Sequence, residues 1–322
     1  MKHRSLFAFL LALVFVTAAA AGADESAPVL VATGSVDQAI SELHGQITRT
    51  PNDARAYNLL CRAYFSVGDW DRGISACQRA VSLAPDNSQY HLWLGRVYGE
   101  KADRANFLTA ASLAKHVREE FEESVRLNPS NIDARADLAE FYLEAPGIVG
   151  GGRDKALRQA ESMESLDPAR AHWVRGRLAE KERQDDRAEA EYKAAIEAGH
   201  GEASTWLNLG LFYSHRQRWD DMEKALLHVR SAPLDRPDAL VDAAQILVRA
   251  KRNFLEAVEL LRAYLNGKTQ VEQAPAFKVH YLLGTVQEKL GDKRAAVDEY
   301  RASLDLARDF APAQQALQRV NR

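Results

Sequence analysis

The chain has 322 residues, 46% of them hydrophobic and 27% charged, with a formal net charge of −3. This is the composition of a soluble globular protein, too apolar for a disordered chain. No basic stripe with interleaved aromatics occurs, which excludes nucleic acid as the expected partner, and two cysteines are too few for a disulfide-built scaffold.

Lys2, His3 and Arg4 open the chain, and no further charge follows until Asp24. The apolar run between them ends in small residues, with Ala21-Gly22-Ala23 fitting an A-x-A cleavage site. That is the layout of a secretory signal peptide over residues 1–23. The alternative is an uncleaved anchor, because the uncharged run 5–23 is almost long enough to span a bilayer. Residues 18–23 are only Ala and Gly, which suits a peptidase better than lipid. The expectation is therefore an exported protein, periplasmic or secreted, with no membrane insertion after cleavage. Residues 24–34 read as a loose linker. Residues 35–50 read as an N-terminal half-repeat helix, opened by a capping box of Ser35 and Gln38.

From residue 51 onward apolar residues recur at helical spacing, and strand-like alternation is nowhere sustained. Four segments align with one another: "YNLLCRAY" (57–64), "HLWLGRVY" (91–98), "WLNLGLFY" (206–213) and "HYLLGTVQEKLG" (280–291). Each is followed by a second apolar helix, commonly ending near Leu-x-Pro, as at Pro85, Pro129 and Pro168. Small residues stand where paired helices approach most closely: Gly95, Gly210 and Gly284 in first helices, Ala80, Ala188 and Ala296 in second ones. This pattern resembles the tetratricopeptide repeat, a helix–turn–helix unit of about 34 residues. The resemblance covers most of residues 52–310. It implies an all-α, right-handed superhelical solenoid in which each unit buries its apolar face on the next.

Seven units are expected over residues 51–310, starting near 54, 88, 132, 169, 203, 238 and 277, with the fourth and sixth degenerate. Residues 311–322 read as a partly polar capping helix on an open solenoid end. The spacing from Pro85 to Pro129 exceeds the unit by about ten residues, and that from Pro129 to Pro168 by about five. The surplus falls around "GEKADRANFLTA" (99–110) and "APGIVGGG" (145–152), between the two helices of neighbouring units. Such loops share one edge of a solenoid, so Phe107, Leu108, Ile148 and Val149 would form an apolar tip there. That edge either packs on itself, contacts a partner or supports self-association. The stretch running from Phe107 to Gly152 is also similar to one found in exported bacterial repeat proteins.

"GIVGGGRD" (147–154) approaches the phosphate-cradling G-x-x-x-x-G-K-[ST] loop. A phosphate loop follows a strand, and this one follows the helical "ADLAEFYLEA"; Arg153 and Asp154 stand where Lys and Ser or Thr are needed. A small-ligand or anion-binding protein using this loop is retained only as the alternative function. No His-Glu-x-x-His or Gly-x-Ser-x-Gly occurs, and the nine histidines are scattered, so no catalytic, metal or cofactor site is expected. His91, His172 and His280 take the first aromatic position of their units.

Cys61 and Cys77 stand at matching distances from the turn at Gly68-Asp69, so they face each other across one helix pair. Export permits a disulfide between them, and the alternative is two buried thiols. The family resemblance points to the inner groove as a ligand surface. There Arg55, Asn58, Arg62, Gln89, Arg96, Arg170, Trp173 and Arg177 would face a protein or peptide partner, the arginines favouring carboxylates. Chaperone-binding members use a Lys/Asn carboxylate clamp, and Asn58 and Arg62 occupy positions where it needs Lys and Asn, so that clamp is not formed. The function expected is a non-enzymatic, exported scaffold for protein–protein interaction or assembly.

Overall fold

The structure is a computed structural model that describes residues 21–321. The expected leader falls almost wholly outside the described residues. Asp and Asn side chains start many of the helices: Asp53 accepts from the Ala56 N–H, Asp69 from Arg72, Asn131 from Ala134 and Asp292 from Ala295. Each satisfies a backbone donor that the helix leaves free, and fixes where the chain enters the helix.

The helices come as antiparallel neighbours in chain order. The first pairs are Ala21–Thr33 (α1) with Val36–Arg49 (α2), Ala54–Val67 (α3) with Trp70–Leu83 (α4), and Ser88–Ala102 (α5) with Phe107–Leu127 (α6). Next come Ile132–Glu144 (α7) with Arg153–Met163 (α8), then Pro168–Lys181 (α9) with Asp185–Ala198 (α10). Ala203–His215 (α11) pairs with Trp219–Ser231 (α12), and Ala239–Ala250 (α13) with Phe254–Leu265 (α14). Ala276–Leu290 (α15) pairs with Lys293–Leu306 (α16), and Ala311–Val320 (α17) closes the series. No strand occurs among the described residues. The molecule is an all-α helical solenoid.

The glycine of the repeat is a matter of space. A Cβ at Gly95 would lie 2.5 Å from the Phe121 ring, and one at Gly284 2.7 Å from Tyr300. The first helix is thus pressed against an aromatic ring of the second, close enough that no side chain fits between. The first full unit solves the same contact differently. Cys61 holds the glycine's position, fully buried, and is bonded to Cys77 in α4 with the Cα atoms 5.2 Å apart.

Four features depart from the sequence expectation. Residues 24–34 are not a loose linker: α1 spans Ala21–Thr33, with Ala27 and Val31 buried. Pro28 lies inside that helix and disguised it, since an interior proline removes one backbone hydrogen bond; packing on α2 and α3 overrides the penalty. The half-repeat therefore has its partner helix. Its capping box is not formed, because the Ser35 side chain makes no cap bond and Gln38 donates to Glu42 instead. The first insertion is mainly extra helix, α6 running 21 residues against 14 in α4.

The last departure concerns the ends. The C-terminal helix covers the last pair as expected, with Ala316 and Leu317 packed on Ala296 and Tyr300, but the end is not open, because the start of the chain packs there too. Phe277, Phe310 and Ala313 belong to the same buried cluster as Val31 and Leu43 at the start of the chain. The Arg308 N–H donates to Asp37 Oδ2 at 2.9 Å. Gly34, at φ +80°, sits so tightly on α15 that a Cβ there would lie 2.6 Å from the Ala276 nitrogen.

Candidate functional site

The expected groove residues do line first helices, but their charges are largely answered from within. Arg96 Nε donates to Asp137 Oδ2 at 2.6 Å, and Arg177 bridges Glu140 at 2.9 Å and Glu144 at 3.0 Å. Burial pushes the Asp137 and Glu140 carboxyls up, and their arginines only partly offset it. Arg62 reaches Glu272 at 2.5 Å. Arg170 lies over the Trp173 ring, 5.8 Å from its centroid. Gln89 and Arg55 are exposed, and Arg55 has no ion pair among the described residues. Asn58 is buried, with its Nδ2 unpartnered.

Trp93, which the repeat pattern did not single out, organises this region. Its ring lies between Arg62 and Arg96, with their guanidinium carbons 5.1 and 5.0 Å from the centroid. It also meets Phe65 edge-on at 5.5 Å. The available signal was its place within "HLWLGRVY", an aromatic directly before the Leu94-Gly95 step that recurs within the chain.

The two insertions are brought together. Helix α6 touches the 3-10 turn Gly147–Val149, and Arg118 Nη1 donates to the Val149 carbonyl at 3.3 Å. Between them lies an apolar cleft of about 310 Å³ lined mainly by Ala, Phe107, Phe141, Pro146, Ile148 and Val149. Ile148 is 93% exposed and Phe107 81%. Phe107 and Leu108 form the first turn of α6 rather than a loop tip, and Val149 is half-buried. The patch is thus presented on regular structure, with Asn106 capping the helix through the Thr109 N–H.

The glycine-rich loop has no cradle. The Gly150 N–H donates to the Gly147 carbonyl, Gly151 to Pro146 and Gly152 to Tyr142, so the three glycine amides are engaged within the loop. A Cβ at Gly151 would overlap the Ala145 carbonyl, which explains the glycine without a ligand. Lys155 turns back to the Gly150 carbonyl at 2.8 Å. Among the described residues no group of three metal-binding side chains occurs. The histidines at the first aromatic position have a common arrangement: His91, His172 and His280 each meet a glutamate of the paired helix, Glu120, Glu191 and Glu299, at 2.6, 2.8 and 2.7 Å.

Residues 30–97 and 277–310 each match a profile described as the tetratricopeptide repeat. The chain carries tetratricopeptide repeats. Repeats of this family mediate protein–protein interaction. Among curated relatives, mouse Protein O-mannosyl-transferase TMTC3 is 25% identical over 166 residues, covering 50% of this chain and 18% of that protein. Mouse Superkiller complex protein 3 is 24% identical over 295 residues, covering 79% of this chain and 18% of the relative. The tetratricopeptide chain thus spans about a fifth of the length of the curated relatives it matches. Among solved structures, yeast Tom70 aligns with 89% of this chain and 58% of its own at 15% identity and a TM-score of 0.54, a likeness of fold. A thermophilic tetratricopeptide-repeat protein of Thermus thermophilus aligns with 65% of this chain and 100% of its own, at 18% identity and a TM-score of 0.49.

Proposed function

We propose that this protein is an exported, non-enzymatic scaffold of the periplasm or of a secreted complex, and that it holds a protein partner at the edge built by its two insertions. The observation that carries the proposal is the apolar cleft with Phe107 and Ile148 standing exposed beside it. Exposed apolar surface held on regular structure marks an interaction site, because leaving it in water has no structural benefit. The leader-like N-terminus and the Cys61–Cys77 bond support export. The glycine-loop alternative draws no support from the three glycine amides, which are bonded within the loop.

The test is capture from a native extract by wild type and by Phe107→Ser plus Ile148→Ser. Both side chains are largely exposed, so the melting temperature is expected to stay within about 2 °C, as for surface changes of under ~0.5 kcal/mol. A partner retained by wild type and lost by the double variant supports the proposal. Identical captured sets with both proteins rule this edge out.

A further inference from the structure

The cleft at the insertion edge has a shape and a charge that narrow what can occupy it. It lies where α6, 21 residues long against 15 in α5, faces the turn Gly147–Val149 that follows α7. Along α6 it is lined by Phe107, Ala110, Ala111, Ala114 and Val117. These positions keep the spacing of one helix face and run about 15 Å, close to three turns. Between Phe107 and Val117 that face offers only methyl groups, so a partner can approach closely and must supply the bulky side chains itself. An extended segment would lay unpaired backbone donors and acceptors on an apolar floor, whereas a helix satisfies its own.

The charge at the cleft has one sign. Its lining holds two carboxylates, Asp103 and Glu144, and no Lys, Arg or His. Asp103 is exposed and has no ion pair among the described residues, while Glu144 is met by Arg177 and Lys181. The nearby cations of α5 and its C-terminal turn are engaged elsewhere, Lys101 with Asp71 and Arg104 with Glu100. Helices α5 and α7 both end at the cleft, each bringing the negative end of its dipole, against the single positive end of α6, which Asn106 caps. A cationic occupant complements this edge. A second copy of the chain would set the same carboxylates against each other.

We propose that the insertion cleft takes a basic amphipathic α-helix of another protein. Bulky apolar residues on one face of that helix lie over Ala110, Ala111 and Ala114, and Lys or Arg beside them meets Asp103 and the ends of α5 and α7. Phe107 from α6 and Ile148 from the turn flank it, which gives both exposed side chains an apolar contact. The inference rests on the reading that this edge holds a protein partner, and adds the partner's local fold and charge.

The test uses the full chain and two fluorescent helical peptides, KLAKLLKKLAKLLKA and its counterpart with glutamate in place of every lysine, read by anisotropy at low salt. Both carry the same leucine face, so charge alone distinguishes them. The lysine peptide is expected to bind wild type at least about tenfold more tightly than the glutamate peptide. Asp103→Lys, at an exposed position without a partner, is expected to narrow that preference to about threefold or less. Ala114→Phe fills the floor of the cleft and is expected to weaken the lysine peptide at least about tenfold. Ile148→Ser leaves the core untouched and is expected to weaken it in the same direction. Equal binding of the two peptides, no binding of the lysine peptide, or a preference unchanged in Asp103→Lys overturns the inference. So does lysine-peptide binding that neither Ala114→Phe nor Ile148→Ser reduces, or a wild-type dimer that Ile148→Ser dissociates in sedimentation. A partner captured from native extract and lost by Phe107→Ser plus Ile148→Ser, with no charge preference between the peptides, would strike this occupant and leave the edge standing.

Discussion

His91 shows how one side chain reports on the packing around it. Burial alone would lower its pKa, but Glu120, the Pro85 carbonyl and the charge of Glu123 more than compensate, and the imidazole ends above its ordinary value of about 6.5. A raised folded pKa contributes stability that is present below about pH 6.5 and is lost as pH rises through the folded value. Urea unfolding of wild type and His91→Gln is therefore expected to differ most near pH 5.5 and to converge above neutrality; a constant difference would show that the proton plays no part. Glu189 has the opposite sign. Burial would raise it, yet hydrogen bonds from Lys193, Arg218 and Tyr213 hold it at about 2. Its contribution is present above about pH 4.5 and is lost as pH falls toward 2. Glu189→Gln is expected to lose about 1 kcal/mol at pH 7, since its cationic partners are half-exposed and screened, and only a small part of that near pH 2. The pairing of histidines with glutamates was not legible in the sequence. Their shared repeat position was visible, but the glutamates lie on the second helix, at a distance that varies with the insertion.

Helix pairs were the most legible level. The Leu-Gly step marks a first helix because the glycine must admit a ring from the second, as Gly95 admits Phe121 and Gly284 admits Tyr300. Gly284→Val is expected to destabilise by about 1–3 kcal/mol through overpacking, measured by guanidinium unfolding, while the exposed Gly147→Ala is expected to be near neutral. In the first unit the same contact is a disulfide. Closing a loop of this size contributes about 3 kcal/mol, so reduction or Cys77→Ser is expected to lower stability by about 2–4 kcal/mol. An unchanged unfolding midpoint under reductant would mean the bond is absent from the protein in solution. Helix α1 escaped detection because Pro28 breaks the local pattern, and only the burial of Ala27 and Val31 explains why the segment is helical. The long connection from Leu265 to Ala276 escaped because unit boundaries were set by terminal prolines, and the degenerate sixth unit offers none at the expected place.

At the scale of the molecule, closure is what local sequence signals could not reveal. A solenoid is legible because each contact is between neighbours in sequence. The meeting of Gly34 with Ala276, and of Asp37 with Arg308, joins segments with no such relation. Closure also changes the thermodynamics, since the end units no longer fray independently. Wild type is expected to unfold in one transition by both far-UV circular dichroism and tryptophan fluorescence. Gly34→Val combines a left-handed backbone with a collision on α15, and is expected to separate the two probes and increase the radius of gyration in small-angle scattering. Coincident probes and unchanged scattering for that variant would contradict closure. With the ends joined and most inner-face arginines paired, the insertion edge is where exposed Phe107, Leu108 and Ile148 stand beside an apolar cleft.

The central claim, that this edge holds a protein partner, is tested most directly by photo-crosslinking in native cells. A photoreactive residue at position 148, in place of Ile148, is compared with one at position 255, in place of the equally apolar and 70% exposed Leu255 on α14. The account predicts a discrete adduct from position 148 and none at matching yield from position 255. The same adducts from both positions, or none from position 148, would contradict it.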